Sequence, residues 1–177
     1  GKTTTKTLAA AAVEALFGDT LVTAGNLNNR IGVPMTLLTL EPRHRAVVLE
    51  CGTSERGEIA ALGAVARPDV ALVLNVGIEH SEGLGGLEAI ADEEAALFAA
   101  ARRGQVTGEA QELLRARFAP DPAIRRWLFG ESAACDVRLA ARAVRDDGAS
   151  ELRLVVAPAL AAPAGGELRV VTPLLGP

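Results

Sequence analysis

The chain opens Gly1-Lys2-Thr3-Thr4-Thr5 and runs directly into an alanine-rich stretch from Leu8 to Leu16. A Gly-Lys-Thr string entering a helix is the back half of a phosphate-binding loop. There the helix N-terminus and its free backbone N–H groups cradle phosphate oxygens, the lysine reaches the β- and γ-phosphates, and the threonine hydroxyl ligates Mg²⁺. So short a string also recurs by chance, and a frayed, solvated terminus is its plain alternative. Glu50 is the second group with chemical potential, because it closes the apolar run Arg45–Cys51 just before Gly52-Thr53. Ligands collect at the carboxyl ends of strands in open α/β sheets, where a carboxylate is placed to hold the Mg²⁺ of a nucleotide. Pairing with an arginine, or capping the next helix, is the competing use. Asn75-Val76-Gly77-Ile78-Glu79-His80 ends the following apolar run in the same way. From a glycine-rich loop His80 can reach a metal or a phosphate, whereas His44 lies in a polar turn. Glu93 and Glu94 fall inside the helix that follows, where adjacent charges ordinarily mark a solvated face.

These groups need elements to hold them. The pattern predicts a helix over Lys2–Phe17 closed by Gly18, a short strand over Thr20–Thr23, and a turn-rich loop at Gly25-Asn26-Leu27-Asn28-Asn29. A helix over Val33–Leu40 follows, with Pro34 in its first turn, where a missing N–H costs nothing. Arg45–Cys51 and Asp69–Val76 read as continuous apolar strands covered on both faces, with helices at Gly57–Val65 and about Leu87–Arg103 after them. Alternating strand and helix predicts an α/β fold with a mostly parallel sheet. The last third changes character: Cys135–Val144, Glu151–Val156 and Glu167–Val171 read as an antiparallel meander at the sheet's edge.

Composition narrows the partners. The 177 residues are 49% hydrophobic and 23% charged, which is globular and not disordered. A net charge of −4 argues against a nucleic-acid or anionic-lipid partner. No apolar run approaches the roughly 20 residues of a membrane span, and no signal peptide is visible. Cys51 and Cys135 lack partners at metal-ligand spacing, which fits a reducing, cytoplasmic compartment. The chain starts without Met, so a fragment of a longer protein is the expectation.

Taken in order, Gly1-Lys-Thr-Thr-Thr-Lys6, Thr23-Ala-Gly-Asn-Leu-Asn-Asn-Arg-Ile-Gly-Val-Pro34, Leu49-Glu-Cys-Gly-Thr53 with Gly57-Glu-Ile59, and Asn75-Val-Gly-Ile-Glu-His80 resemble the central ATP-binding domain of the Mur ligases. The resemblance is dense from residue 1 to about residue 98. It implies a three-layer phosphate-loop ATPase domain over residues 1–177, starting inside the phosphate loop and lacking its flanking domains. The Asn-Leu-Asn-Asn segment is most similar to the branch of the family that adds D-alanyl-D-alanine to UDP-N-acetylmuramoyl-tripeptide. What this implies is ATP-dependent amide synthesis through an acyl phosphate in cell-wall precursor assembly, with ATP and Mg²⁺ required. By matching position, Gly1, Lys2, Thr3 and Thr4 would bind the nucleotide, Lys2 would contact its β- and γ-phosphates, and Thr3 with Glu50 would hold one Mg²⁺. His80 would hold a second, and Asn26, Asn28 and Asn29 would line the muramoyl-peptide side.

The sequence departs from the family pattern in two places. The family usually places a lysine on the helix after the His80 loop, carbamylated so that its new carboxylate ligates the second Mg²⁺, yet no lysine follows Lys6. Glu94 takes that position and is expected to stand in for the carbamate as metal ligand and catalytic anion, with Glu93 as the alternative. A glutamate has about 4 Å less reach, which a bridging water can cover. In the second place, Val106-Thr-Gly-Glu-Ala110 replaces an Asn-Ala-Asp-Asp-like turn near the nucleotide. Two rival readings stay open: another ligase of the superfamily, such as a folylpolyglutamate synthetase or a different stem-peptide ligase, and a non-catalytic Mur-like nucleotide-binding protein.

Overall fold

The computed structural model of the chain describes residues 1–77, 85–158, 160 and 166–172. Helix α1 (Lys2–Phe17) leads to strand β1 (Thr20–Val22), α2 (Gly32–Leu38), β2 (Ala46–Val48), α3 (Glu58–Ala66) and β3 (Val70–Leu72). Then come α4 (Leu87–Ala100), β4 (Gly104–Gly108), the short α5 (Glu112–Arg115) and β5 (Arg125–Gly130). Strands β6 (Val137–Val144), β7 (Ser150–Val156) and β8 (Gly166–Thr172) close the order. β1 and β2 form a parallel pair, while β3-β4-β5-β6-β7-β8 form a six-stranded sheet, parallel from β3 to β6 and antiparallel from β6 to β8. The α/β class, the mostly parallel pairing and the antiparallel edge are as the sequence pattern predicts.

The region 104–130 carries β4, α5 and β5, none of which the hydrophobic pattern announces. β4 reads Gly-Gln-Val-Thr-Gly, yet it is central and covered on both sides. Gln105 is fully buried because both ends of its amide are used: Nε2 donates to the Phe98 carbonyl at 2.9 Å, and Oε1 accepts from the Ala119 N–H at 3.0 Å. Gly104 is required by packing, since a Cβ there would meet the Trp127 ring at Cζ3. The helix expected to reach Arg103 stops at Ala100. The N–H groups of Arg102, Arg103 and Gly104 turn to the carbonyls of Pro68 and Asp69 at 2.9–3.0 Å and start the β3–β4 ladder.

Helix α4 organises the interior. Ala95 and Phe98 pack with Ala71, Val73, Ala101 and Leu114, and the Phe98 and Phe118 rings lie 5.0 Å apart. A second cluster, Val33, Ile59 and Leu62, joins α2 to α3. α3 and α4 approach closely at Gly63, where a Cβ would sit 2.8 Å from the Ala100 Cβ. The outcome is that α1, the ends of β1 and β2, and the middle of α4 converge on one place.

Candidate active site

The convergence centres on Glu50, two residues past β2. Its backbone N–H donates to Thr23 Oγ1 at 3.0 Å, which locks the end of β2 to the end of β1. The Glu50 side chain is buried. Oε1 accepts from Asn28 Nδ2 at 3.0 Å and from Thr3 Oγ1 at 3.3 Å. Oε2 accepts no well-directed hydrogen bond, and the Lys6 ammonium lies 3.4 Å from it. Burial works to raise the Glu50 carboxyl pKa, but the donors Asn28 and Thr3 and the adjacent Lys6 ammonium outweigh it. The group is held below the ordinary carboxylate range and stays ionised at neutral pH.

The residues expected to form the phosphate loop lie at the head of α1. Gly1 is its N-cap, and its carbonyl accepts from the Thr5 N–H at 3.1 Å. Thr3 faces Glu50, whereas Thr4 is exposed. Lys2 reaches across to α4, where its Nζ lies 3.4 Å from Glu94 Oε1; the lysine side chain is 40% exposed and the glutamate 14%. Glu94 therefore faces Lys2 at the head of α1. Near both carboxylates sits the partly buried Cys51, whose thiol is pushed up to about 11 by burial and by the charges of Glu94 and Glu50. It stays protonated and weakly nucleophilic at neutral pH.

Glu93, one position earlier, does something else. Its side chain is buried and accepts from the Gly57 N–H at 2.6 Å on Oε2 and from the Ile59 N–H at 2.8 Å on Oε1. It thus caps the N-terminus of α3 from the neighbouring helix, using groups every helix start leaves unsatisfied. Both oxygens are committed, which removes Glu93 as the alternative anion. Its burial, though not its capping role, is readable from spacing, because position 93 lies three residues after Ile90 on the buried side of α4.

The three asparagines divide the work of their loop. Asn28 orients Glu50 and accepts the Gly52 N–H on its backbone carbonyl at 2.8 Å. Asn29 Oδ1 accepts from the N–H groups of Ile31 and Gly32 at 3.1 and 2.9 Å, starting α2. Asn26 is exposed. Gly32 is obligatory here, since a Cβ would run into the Leu27 backbone at its Cα. Lys6, buried at this junction, is a site residue that no motif singles out. Its signal is its place on α1, three residues after Thr3 and four before the buried Ala10.

In the divergent turn, the Glu109 carboxylate accepts from the N–H groups of Glu131 and Ser132 at 2.5 and 2.9 Å. The Ser132 hydroxyl and these two backbone donors hold its pKa down to about 2. His80 lies outside the described residues.

Mg²⁺ prefers six oxygens and is commonly held by one or two carboxylates together with substrate phosphates and water. Among the described residues no three His, Cys, Asp or Glu side chains are grouped to hold a metal by themselves. The donor set does suit a cation that a phosphate brings with it: a threonine hydroxyl and an ionised carboxylate side by side at the head of α1.

The Mur ligase middle domain model matches residues 1–176. Over 98 residues the chain is 47% identical to the UDP-N-acetylmuramoyl-tripeptide–D-alanyl-D-alanine ligase of Escherichia coli K12, covering 55% of this chain and 22% of that protein. A crystal structure of MurF from Acinetobacter baumannii superposes with a TM-score of 0.83 at 27% identity, over 99% of this chain and 36% of the other. MurF from Thermotoga maritima in complex with ADP gives 0.77 at 27% identity, over 96% and 38%. The chain thus spans about a fifth of the length of its curated relative and about a third of the solved ones.

Proposed function

The chain belongs to the Mur ligase middle-domain family, and from that premise we propose that the full-length protein joins D-alanyl-D-alanine to UDP-N-acetylmuramoyl-tripeptide at the expense of ATP. A carboxylate is a poor electrophile. Transfer of the γ-phosphoryl group to the terminal carboxylate of the tripeptide releases ADP and makes an acyl phosphate. The dipeptide amine attacks its carbonyl carbon through a tetrahedral intermediate, gives up a proton, and expels phosphate. Positioning and charge neutralisation are what the protein contributes.

Gly1, Lys2, Thr3 and Thr4 bind the triphosphate, with the Lys2 ammonium moving from Glu94 to the β- and γ-phosphates. Its 40% exposure leaves it room to do so. Thr3 and Glu50 would hold one Mg²⁺ and His80 with Glu94 a second, and the bound ions would supply neutralisation of phosphate charge. Asn28 keeps Glu50 in place, and Asn26, Asn28 and Asn29 form the muramoyl-peptide side. ADP in the Thermotoga maritima relative supports nucleotide binding at this fold. No helix among the described residues is long and apolar enough to cross a membrane, and ATP with a UDP-linked substrate assigns the reaction to the cytoplasm.

The observation that carries this reading is the ionised, buried Glu50 beside Thr3 at the head of the phosphate-loop helix. The test is ADP release by the full-length protein with ATP, Mg²⁺ and UDP-muramoyl-tripeptide, with and without D-alanyl-D-alanine, and the mass of the UDP-linked product. The expected result is dipeptide-dependent release and a product heavier by one dipeptide less one water. ATP binding with no amide formed from any amine would refute it.

A further inference from the structure

Lysine is scarce in this chain, and Lys6, the second of two, is buried. Its side chain is 8% exposed, its Nζ donates to the Gly25 carbonyl at 3.3 Å, and the same atom lies 3.4 Å from Glu50 Oε2. A buried ammonium carries a large desolvation penalty, and replacing a buried ion pair by apolar groups of the same volume is often neutral or stabilising. Stability alone therefore gives no reason for an amine at this point of α1.

What the amine does hold is geometry. Three elements meet at Nζ: the phosphate-loop helix that carries it, the Thr23–Asn29 loop through Gly25, and the end of β2 through Glu50. The last torsion of a glutamate is broad and nearly two-fold, so its carboxylate plane is set by its partners. Thr3 and Asn28 both donate to Oε1, and among the described residues Lys6 alone addresses Oε2.

We propose that Lys6 is a positioning residue of the nucleotide site, its ammonium fixing the plane of the Glu50 carboxylate and tying it to the loop that carries Asn26, Asn28 and Asn29. It touches no substrate in this role and acts through Glu50. The inference rests on the reading that Thr3 and Glu50 serve the Mg²⁺ of bound ATP.

The experiment measures ADP release against Mg²⁺ concentration for the full-length protein and for Lys6→Met, Lys6→Arg, Glu50→Gln and the double variant Lys6→Met/Glu50→Gln. Lys6→Met is expected to raise the half-saturating Mg²⁺ about tenfold, a coupling typical of residues in contact. Lys6→Arg recovers most of that loss, because a guanidinium can donate to both the Gly25 carbonyl and Glu50. In the Glu50→Gln background the Lys6→Met change shrinks to about twofold or less. A purely structural role lowers kcat by reducing the active fraction and leaves half-saturation where it was; that result, or additive effects in the double variant, overturns the proposal. If Lys6→Met fails to fold, the comparison of the double variant with Glu50→Gln decides, since the double variant leaves no carboxylate stranded beside an apolar group at position 6. A wild type that binds no ATP removes the site reading and this inference with it. A wild type with normal turnover whose Mg²⁺ constant ignores Lys6 overturns this inference alone.

Discussion

Adjacent carboxylates on α4 are expected to fail in opposite ways when neutralised. In Glu93→Gln the side chain keeps its size, but one of the two oxygens that receive the Gly57 and Ile59 N–H groups becomes an NH₂ that faces a donor. Hydrogen bonds to a charged group contribute about 1.5–3 kcal/mol each, and a buried donor left unpaired costs about 1–3 kcal/mol. One bond weakened and one lost give about 2–4 kcal/mol. At about 2–4 °C per kcal/mol for a domain of this size, Tm falls by about 5–15 °C. In Glu94→Gln the partner is Lys2, 40% exposed at 3.4 Å. A solvent-screened pair of that kind contributes about 0–1 kcal/mol, so Tm moves by no more than about 4 °C. The functional readout reverses the order: Glu94→Gln raises the Mg²⁺ needed for half-maximal ADP release, and Glu93→Gln leaves it unchanged in the folded fraction. Thermal unfolding by circular dichroism and a Mg²⁺ titration of the same preparations test both halves. A Glu93→Gln protein with wild-type Tm, or a Glu94→Gln protein with wild-type Mg²⁺ dependence and rate, would refute the division of labour.

Two further outcomes follow from geometry elsewhere in the chain. Gly63→Ala places a Cβ 2.8 Å from the Ala100 Cβ, so the α3–α4 contact must open at a cost of about 1–3 kcal/mol; a lowered urea midpoint that Ala100→Gly restores is the expected result, and an unchanged midpoint contradicts it. Glu109 has a folded pKa of about 2 against an ordinary value of 4.5, so its contribution is complete above pH 4.5 and fades as pH falls through about 2. The stability difference between wild type and Glu109→Gln should therefore be largest at neutral pH and shrink on acidification, read from urea midpoints between about pH 6 and about pH 2.5; a difference that grows towards low pH would reverse the sign of the argument.

The strand-end residues were legible because apolar runs point to them. No tertiary knowledge is needed when a run such as Ala46-Val47-Val48-Leu49 ends in Glu50, and the parallel pairing of β1 with β2 then puts Thr23 and Glu50 together. β4 was illegible for the opposite reason. Its Gly104, Gln105 and Thr107 look like loop residues, and only the Phe98 carbonyl, the Ala119 N–H and the Trp127 ring explain why Gln105 is buried and why position 104 is glycine. β5 begins with two arginines after Pro120 and Pro122, which masks the apolar end Trp127-Leu128-Phe129. The site shows the same contrast at finer scale. The place of Glu94 follows from its position along the chain relative to the motifs before it, whereas the capping role of Glu93 depends on where α3 starts, a fact carried by a different segment 36 residues away.

The two lysines suggest how the site exchanges one set of charges for another. All the other basic residues of this chain are arginine, and the two amines both lie on the first turns of α1, each opposite a glutamate. The pairs differ in exposure: Lys6 and Glu50 are 8% and 6% exposed, Lys2 and Glu94 are 40% and 14%. Water screens the second pair and competes with it, so its dissolution costs little, while separating the first strands charge in a low-dielectric interior. On the proposed reading an arriving triphosphate takes Lys2 from Glu94 and leaves Glu94 an uncompensated anion facing the phosphate loop. That is the condition in which it attracts a cation most strongly. Glu50 undergoes no such change, because Lys6 stays with it. One carboxylate is thus held ready throughout, and the other becomes available only when phosphate is present to be neutralised.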